Sequence, residues 1–381
     1  MRIVIAMDSF KGNLSSLEVA ALVEKGIREV YPKAEIRTLA VADGGEGTAE
    51  TLTQAKKGRS ISLTVRDPLG RPVKAGYGLL PDGTAVMEMA SASGLCLLQK
   101  QEQNPLIAST YGTGQMLLDA MNRGCRRVIL GIGGSATNDG GAGMAQALGI
   151  RLLDGQGLEL PPGGGALRFL DSIDTSGAAP ALRETEILVA CDVDNPLCGP
   201  LGATHMFGKQ KGATPEMTEV LERGLLKWAQ VIQRELGVSI AQAPGAGAAG
   251  GLGAGLMALC NAKLCPGIEL VLDTLDADTA FSQADVILTG EGKIDGQTAH
   301  GKVPAGVARR AKRFHKPVFA IGGFVTADAA DLYACGIDAA VSSMTEPMSL
   351  KEALEKSPLL IEQAAQRLFR IIHCFVKEDA I

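Results

Sequence analysis

Runs of this chain that read as strands are repeatedly followed by an acid, glycines, or both. Ile3–Met7 leads into Asp8-Ser9-Phe10-Lys11-Gly12, and residues 35–41 lead into Asp43-Gly44-Gly45-Glu46-Gly47. Residues 286–288 lead into Thr289-Gly290-Glu291-Gly292, and 318–321 into Gly322-Gly323. Further in, 128–132 run into Gly133-Gly134-Ser135, and 187–190 into Asp192-Val193-Asp194-Asn195. Any one of these is an ordinary turn or helix cap, because Asp and Gly favour both. Their repetition is what a ligand cleft at the carboxyl ends of strands requires. Carboxylates suit a divalent cation, while backbone N–H groups and lysines suit phosphates. The same set also suits a polyol or hydroxy acid. The four histidines (205, 300, 315 and 373) form no Ser-His-Asp pattern, and His300 reads as an exposed loop residue.

Two short motifs come close to nucleotide signatures. Gly296 to Lys302 fits G-x-x-x-x-G-K, but Val303 stands where a metal-binding Ser or Thr belongs, and the segment does not directly follow its strand as read here. Gly245 to Gly250 fits G-x-G-x-x-G, but "VSIAQAP" before it is a poor strand and Pro244 abuts it. Neither a P-loop nor a dinucleotide turn is expected. The first reads better as a longer strand-to-helix crossing, the second as a glycine-rich helix start that packs tightly or faces phosphate.

The elements that would position these residues fall into two textures. Ile3–Met7 is a strand, and Ser15 with Glu18 forms a capping box before a helix with Val19, Leu22, Val23, Ile27 and Val30 on one face. Residues 35–41 form a second strand and 44–52 a second helix, the start of a parallel sheet. From about 61 to 89 the runs shorten and alternate between Asp-Pro and Asp-Gly turns, as antiparallel hairpins do. Helices are expected at 217–236 and 245–260. The first texture returns near 284, with strands at 286–288, 318–321 and 339–341 and helices at 303–313 and the C-terminus. The fold class is α/β: a doubly wound, mostly parallel-sheet domain of Rossmann-like or flavodoxin-like type, built from both ends (1–65 and 283–381). A mixed α/β domain (66–282) is inserted into it.

Composition narrows the function. A net charge of −5 with 4 % aromatics offers no basic stripe or stacking platform, so no nucleic-acid partner is expected. No apolar run approaches a membrane span, and the N-terminal apolar run is too short for a secretion signal. The eight cysteines contain no C-x-x-C and read as thiols of a reducing compartment. The expected location is the cytoplasm. Forty-eight glycines, clustered rather than periodic, point to backbone held close to a ligand or to itself.

The strings "DSFKGNLSSLEVA", "ADGGEGT", "GIGGSATNDGGAGMAQALG", "ACDVDNPL", "FGKQKGA", "PGAGAAGGLGAG" and "TGEGKIDGQTAHGKVPAGVA" resemble, in order and over about residues 2–370, the bacterial glycerate kinases of the glyoxylate and galactarate pathways. The resemblance implies transfer of the ATP γ-phosphoryl group to D-glycerate, usually on the 2-hydroxyl, giving 2-phosphoglycerate and ADP with Mg²⁺. It also implies two α/β domains with the active site in the cleft between them. Phosphorylation of the 3-hydroxyl, or a kinase or sensor for another small hydroxy acid, are the alternatives, and a homodimer is left open.

Roles follow from the needs of phosphoryl transfer. Asp192 is the candidate base or substrate-orienting carboxylate, with Asp194 beside it for metal or hydroxyl contact, since alternation would put both on one face. Glu291 and Asp295 are candidates for Mg²⁺ or ribose, and Thr298 and Lys302 for the nucleotide, ahead of a helix starting near Pro304. Lys11 would meet the glycerate carboxylate or the transferring phosphoryl group. Asp8, Asp43, Glu46, Gly134, Ser135 and Asn195 are assigned to substrate, and Gly250 and Gly251 to nucleotide. For each, the alternative is capping or a solvated charge.

Overall fold

A computed structural model describes residues 1–299, 302–326, 328 and 331–375. The chain divides into two compact units, the first made of Met1–Asp43 and Ile268–Ile381, the second of Gly44–Gly267. The first unit opens with β1 (Arg2–Met7) and β2 (Glu35–Thr38). The second follows with β3 (Arg59–Arg66), β4 (Pro72–Leu79), β5 (Thr84–Glu88), β6 (Arg127–Gly131), β7 (Arg151–Asp154), β8 (Leu170–Asp174), β9 (Glu186–Ala190) and β10 (Lys263–Cys265). The chain then returns to the first unit with β11 (Val286–Ile294), β12 (Val318–Val325) and β13 (Ala339–Ser342).

In the first unit the sheet order is β13-β12-β11-β1-β2, and every pair is parallel. The alternation of Ile3, Ile5 and Met7 places them in a core with Val19, Val23 and Ile27 from the helix Ser16–Arg28, and with Ile361, Leu368 and Phe369 from the helix Leu350–His373. The Ser15/Glu18 capping box is formed as the sequence predicts. Gly26 lets the two helices touch, since a Cβ there would lie 2.2 Å from the Glu362 carbonyl. The C-terminal helix contains Pro358, which removes the N–H that would bond the Leu354 carbonyl. That carbonyl instead accepts the Ser357 hydroxyl at 2.9 Å and the Asn13 side-chain amide at 3.4 Å, and the same amide bonds Ser357 Oγ at 2.6 Å. The loop after β1 is thereby fastened to the last helix.

The second unit holds a six-stranded sheet of order β10-β9-β6-β5-β4-β3, antiparallel through β3, β4 and β5 and parallel from β5 to β10. The hairpin texture read at 61–89 is the antiparallel part. One core lies on this sheet, with Met87, Met116, Leu117, Leu130, Val189 and Leu252 among its members, and another surrounds Trp228. Trp228 sits on the helix Pro215–Leu236 and donates its indole N–H to the Gly140 carbonyl at 3.0 Å.

The unit boundaries, 43/44 and 267/268, fall earlier than the change of texture at 65/66 and 282/283. Side chains explain both shifts. The helix Thr48–Ala55 belongs with the second unit because Glu88 at the end of β5 accepts the Gly47 and Ala49 N–H groups, at 3.2 and 2.8 Å. The helices Gly267–Thr274 and Ala277–Gln283 hold to the first unit through Arg310, whose guanidinium bonds Glu269, Asp273 and Asp278.

Candidate active site

From β1 the sheet of the first unit grows toward β2 on one side and toward β11 and β13 on the other, so the order reverses between β1 and β11. Ligands of such sheets bind outside the carboxyl ends of the strands at this point. The residues found there are Asp8 after β1 and Glu291 within β11. Asp8 is buried, its N–H donates to the Gly290 carbonyl at 2.9 Å, and its Oδ1 accepts the Ser9 N–H at 2.7 Å. Burial pushes the Asp8 carboxyl up to about 7; the charges of Asp43 and Glu291 add to this, while the Ser9 N–H and Lys11 oppose it. Lys11 donates to Asp43 Oδ2 at 2.8 Å. Against the cost of partial burial, that bond and the charges of Asp43, Asp8 and Glu291 hold the Lys11 ammonium above its ordinary value. The structure thus brings Asp8, Lys11 and Asp43 together, with Glu291 within their field.

Glu291 is buried. Its carboxylate accepts the Thr298 hydroxyl at 2.5 Å and the Lys302 ammonium at 3.2 Å. Burial raises its pKa, Thr298 and Lys302 lower it, and Asp295 adds a smaller upward push. Asp295 bonds Lys293 at 3.0 Å and lies 3.9 Å from Lys302; the Lys293 bond is the main reason its carboxyl is held low. The four nucleotide candidates of this stretch therefore form one network.

The expected end of the strand at 288 is corrected by the structure: β11 runs on to Ile294, pairing Gly290 with Ile321, Glu291 with Gly322 and Lys293 with Phe324. Residues 296–302 consequently do follow their strand, and the placement argument against a P-loop falls. Two observations still separate the segment from one. Val303 offers no hydroxyl, and Gly296–Ala299 coil into a 3₁₀ turn whose Thr298 is spent on Glu291. A helix begins at Val303 with Pro304 in its first turn, as expected. His300 and Gly301 lie outside the described residues.

Among the described residues, no group of three or more acids, histidines or cysteines is packed as a metal cage. Mg²⁺ does not need one, since it commonly takes one or two carboxylates and completes its shell with water and substrate phosphates. Asp8, Asp43 and Glu291 offer the hard oxygen donors such a cation takes, Asp43 and Glu291 being bonded to Lys11 and Lys302. The donor set fits Mg²⁺.

In the second unit, Asp192, Val193 and Asp194 are exposed after β9. Asp192 Oδ1 accepts the Gly267 N–H at 2.9 Å. The Asn195 side chain donates to the Leu201 carbonyl at 2.9 Å, and its own carbonyl accepts the Gly247 N–H, so it shapes the loop after β9. Glu46 is exposed. Gly134 takes φ +70°, in the left-handed region, directly before buried Ser135. The helix expected from 245 starts at Ala248 and runs to Cys260, and Gly250 and Gly251, left-handed and buried, interrupt it with Ala249 just after its start. A Cβ on Gly250 would lie 2.0 Å from the Thr137 carbonyl, so close packing alone demands glycine there. No strand precedes Gly245, as the poor strand pattern before it predicts.

Sequence reading missed Lys211, which is fully buried and donates to Ser135 Oγ and to the Thr137 carbonyl, both at 2.7 Å. Desolvation pulls its ammonium down to about 7, with Asp139 pulling the other way. It sits in "FGKQKGA" between Gly208 and Gly212, where nothing in the pattern marks a buried charge. Glu88, which binds the start of the second unit's first helix, was also missed.

Comparison with known proteins identifies the family. The profile of the glycerate kinase family matches residues 3–373. The chain is 50% identical over 367 residues to the glycerate kinase of Bacillus subtilis (strain 168), covering 96% of each chain. It is 49% identical over 354 residues to the glycerate 2-kinase of Escherichia coli (strain K12), covering 93% of each. A crystal structure described as a glycerate kinase 2 from Salmonella typhimurium LT2 superposes with a TM-score of 0.90 at 47% identity, over 98% of each chain. The acids and lysines at the switch point thus sit in a fold shared with these proteins, and the chain belongs to the glycerate kinase family.

Proposed function

We propose that this enzyme transfers the γ-phosphoryl group of ATP to the 2-hydroxyl of D-glycerate, giving 2-phosphoglycerate and ADP with Mg²⁺. The observation that carries this reading is the Asp8–Lys11–Asp43 cluster beside Glu291 and Lys302 at the switch point. Transfer of this kind is mostly positioning and charge neutralisation, which clustered carboxylates for a cation and lysines for phosphate oxygens supply. The name of the Escherichia coli relative favours the 2-hydroxyl.

Mg²⁺, when bound, would neutralise phosphate charge, and one or two carboxylates among Asp8, Asp43 and Glu291 would hold it, with Asp194 as a further candidate. Lys302 orients the nucleotide and Thr298 fixes Glu291 beside it, Lys11 meets glycerate carboxylate or phosphoryl oxygen, and Asp192 takes the hydroxyl proton. Ser135, presented after Gly134 and held by Lys211, donates to substrate. The test is ADP release by the protein with ATP and D-glycerate, followed by ¹³C and ³¹P NMR of the product. A phosphorus coupled to C3 rather than C2 overturns the regiochemistry, and ADP release that ignores D-glycerate overturns the substrate. Asp192→Asn should lower kcat by about 10²–10⁴ if Asp192 is the base, and a loss under about threefold would remove it from that role.

A further inference from the structure

Beside the charged cluster of the first unit lies a cavity of about 380 Å³, within the size range of small-molecule sites. Its lining mixes charged side chains, Lys11, Glu291, Lys293, Asp295 and Lys302, with the apolar side chains of Phe324, Met344, Leu350 and Leu354. Phe324 is 49% exposed, Leu354 42% and neighbouring Leu350 75%, so three large apolar side chains converge on one recess without being covered. Asn13 and Ser357, bonded to each other, add polar groups to its lining.

Glycerate has three carbons and a polar group on each, and leaves nothing to fill an apolar recess. The other reactant, a nucleoside triphosphate, carries charge at one end and a flat aromatic base at the other. We propose that the apolar side chains lining this cavity, Phe324, Met344, Leu350 and Leu354, seat the base of the phosphoryl donor, with its phosphates toward Lys11 and Lys302 in the same lining. This deepens the kinase reading above and rests on it. A larger cavity of about 510 Å³ lies at the amino ends of the same strands, lined by Met1, Phe319, Leu368 and Phe375. Among the described residues its only charged side chain is that of Asp285, and it holds no lysine or arginine.

The test varies ATP and D-glycerate independently in initial-rate assays of the whole protein, and titrates the fluorescent nucleotide mant-ADP. Phe324→Ala and Leu354→Glu change side chains already open to solvent, so the core is untouched. Each should raise KM for ATP about tenfold or more, as loss of a base-stacking or apolar contact does, and weaken mant-ADP equally. KM for D-glycerate should stay within about twofold, a margin small on the tenfold scale of a lost base contact. Phe375→Ala, in the other cavity, should change neither. An ATP KM that holds in both cavity variants, or one that rises in Phe375→Ala, overturns the assignment. Failure of the underlying reading looks different: unsubstituted protein that binds mant-ADP, with cavity variants that lose it, but never phosphorylates glycerate keeps the base site and removes the reaction.

Discussion

Replacing Asp8 by Asn should make the first unit more stable at alkaline pH while slowing the enzyme. Asp8 is 4% exposed, and its pKa is raised from 3.8 to about 7 by burial and by Asp43 and Glu291. An acid whose folded pKa exceeds its unfolded value favours the folded state only while protonated. The penalty therefore grows as pH rises from about 4 to about 7 and is constant above. Going from 3.8 to about 7 at about 1.4 kcal/mol per pH unit gives about 4 kcal/mol at pH 8.5. Asparagine keeps an oxygen for the Ser9 N–H and removes the charge. Hydrogen exchange of β1 and β11 amides reads this locally, without requiring both units to unfold together. Asp8→Asn should protect these amides by about 4 kcal/mol at pH 8.5 and by less than half as much at pH 5, and glycerate phosphorylation should fall at both. Lower protection at pH 8.5, or a gain independent of pH, would refute the account of Asp8 as a strained carboxylate.

Other substitutions follow from the same structure. Lys211, held at about 7 in the fold, disfavours the folded state at pH values where the unfolded chain carries the proton, so wild-type stability should rise from pH 7 toward 10. Lys211→Met should flatten that rise and, by releasing Ser135, raise KM for D-glycerate more than KM for ATP. Arg310→Gln breaks bonds to Glu269, Asp273 and Asp278; with partners partly solvated, it should cost about 2–4 kcal/mol of first-unit stability in urea titrations, with both KM values little changed. Gly250→Ala must place a Cβ into the Thr137 carbonyl at φ +68°, and should lower the melting temperature or prevent soluble expression. A Gly250→Ala protein of native stability with impaired ATP binding would return this glycine to the ligand.

The parallel sheet, the first capping box, the hairpins and the start of the helix at Val303 were legible because each depends on a local pattern. Glycine misled where it served packing instead of turning. Thr289-Gly290-Glu291-Gly292 reads as a strand end, yet Gly290 is in mid-strand, and glycine stands there because a Cβ would lie 2.0 Å from the Ile321 carbonyl. Gly322 and Gly323 likewise lie inside β12. The acids Asp8, Asp43 and Glu291 were found from their position after strands or within an acid-glycine string. Lys211 and Arg310 were not, because their importance comes from partners distant in sequence: Ser135 for one, and the turn of helices after Gly267 for the other. Glu88 hid inside an alternating hairpin, where its carboxylate has no pattern to break.

The bond from Asn13 to the carbonyl freed by Pro358 sets an order of assembly. Gly44–Gly267 is one uninterrupted stretch, so the second unit has its whole sequence before the ribosome reaches β11. The first unit has β1 from the outset and lacks the neighbours that complete its sheet until β11 to β13 are made. Its loop carrying Lys11 waits longer still, for a carbonyl at Leu354 near the end of synthesis. During translation the chain passes through a stage in which one unit is finished and the other is only two strands and a helix with apolar faces uncovered. Loss of the last helix would therefore leave those faces bare and deprive the earliest-made loop of its anchor.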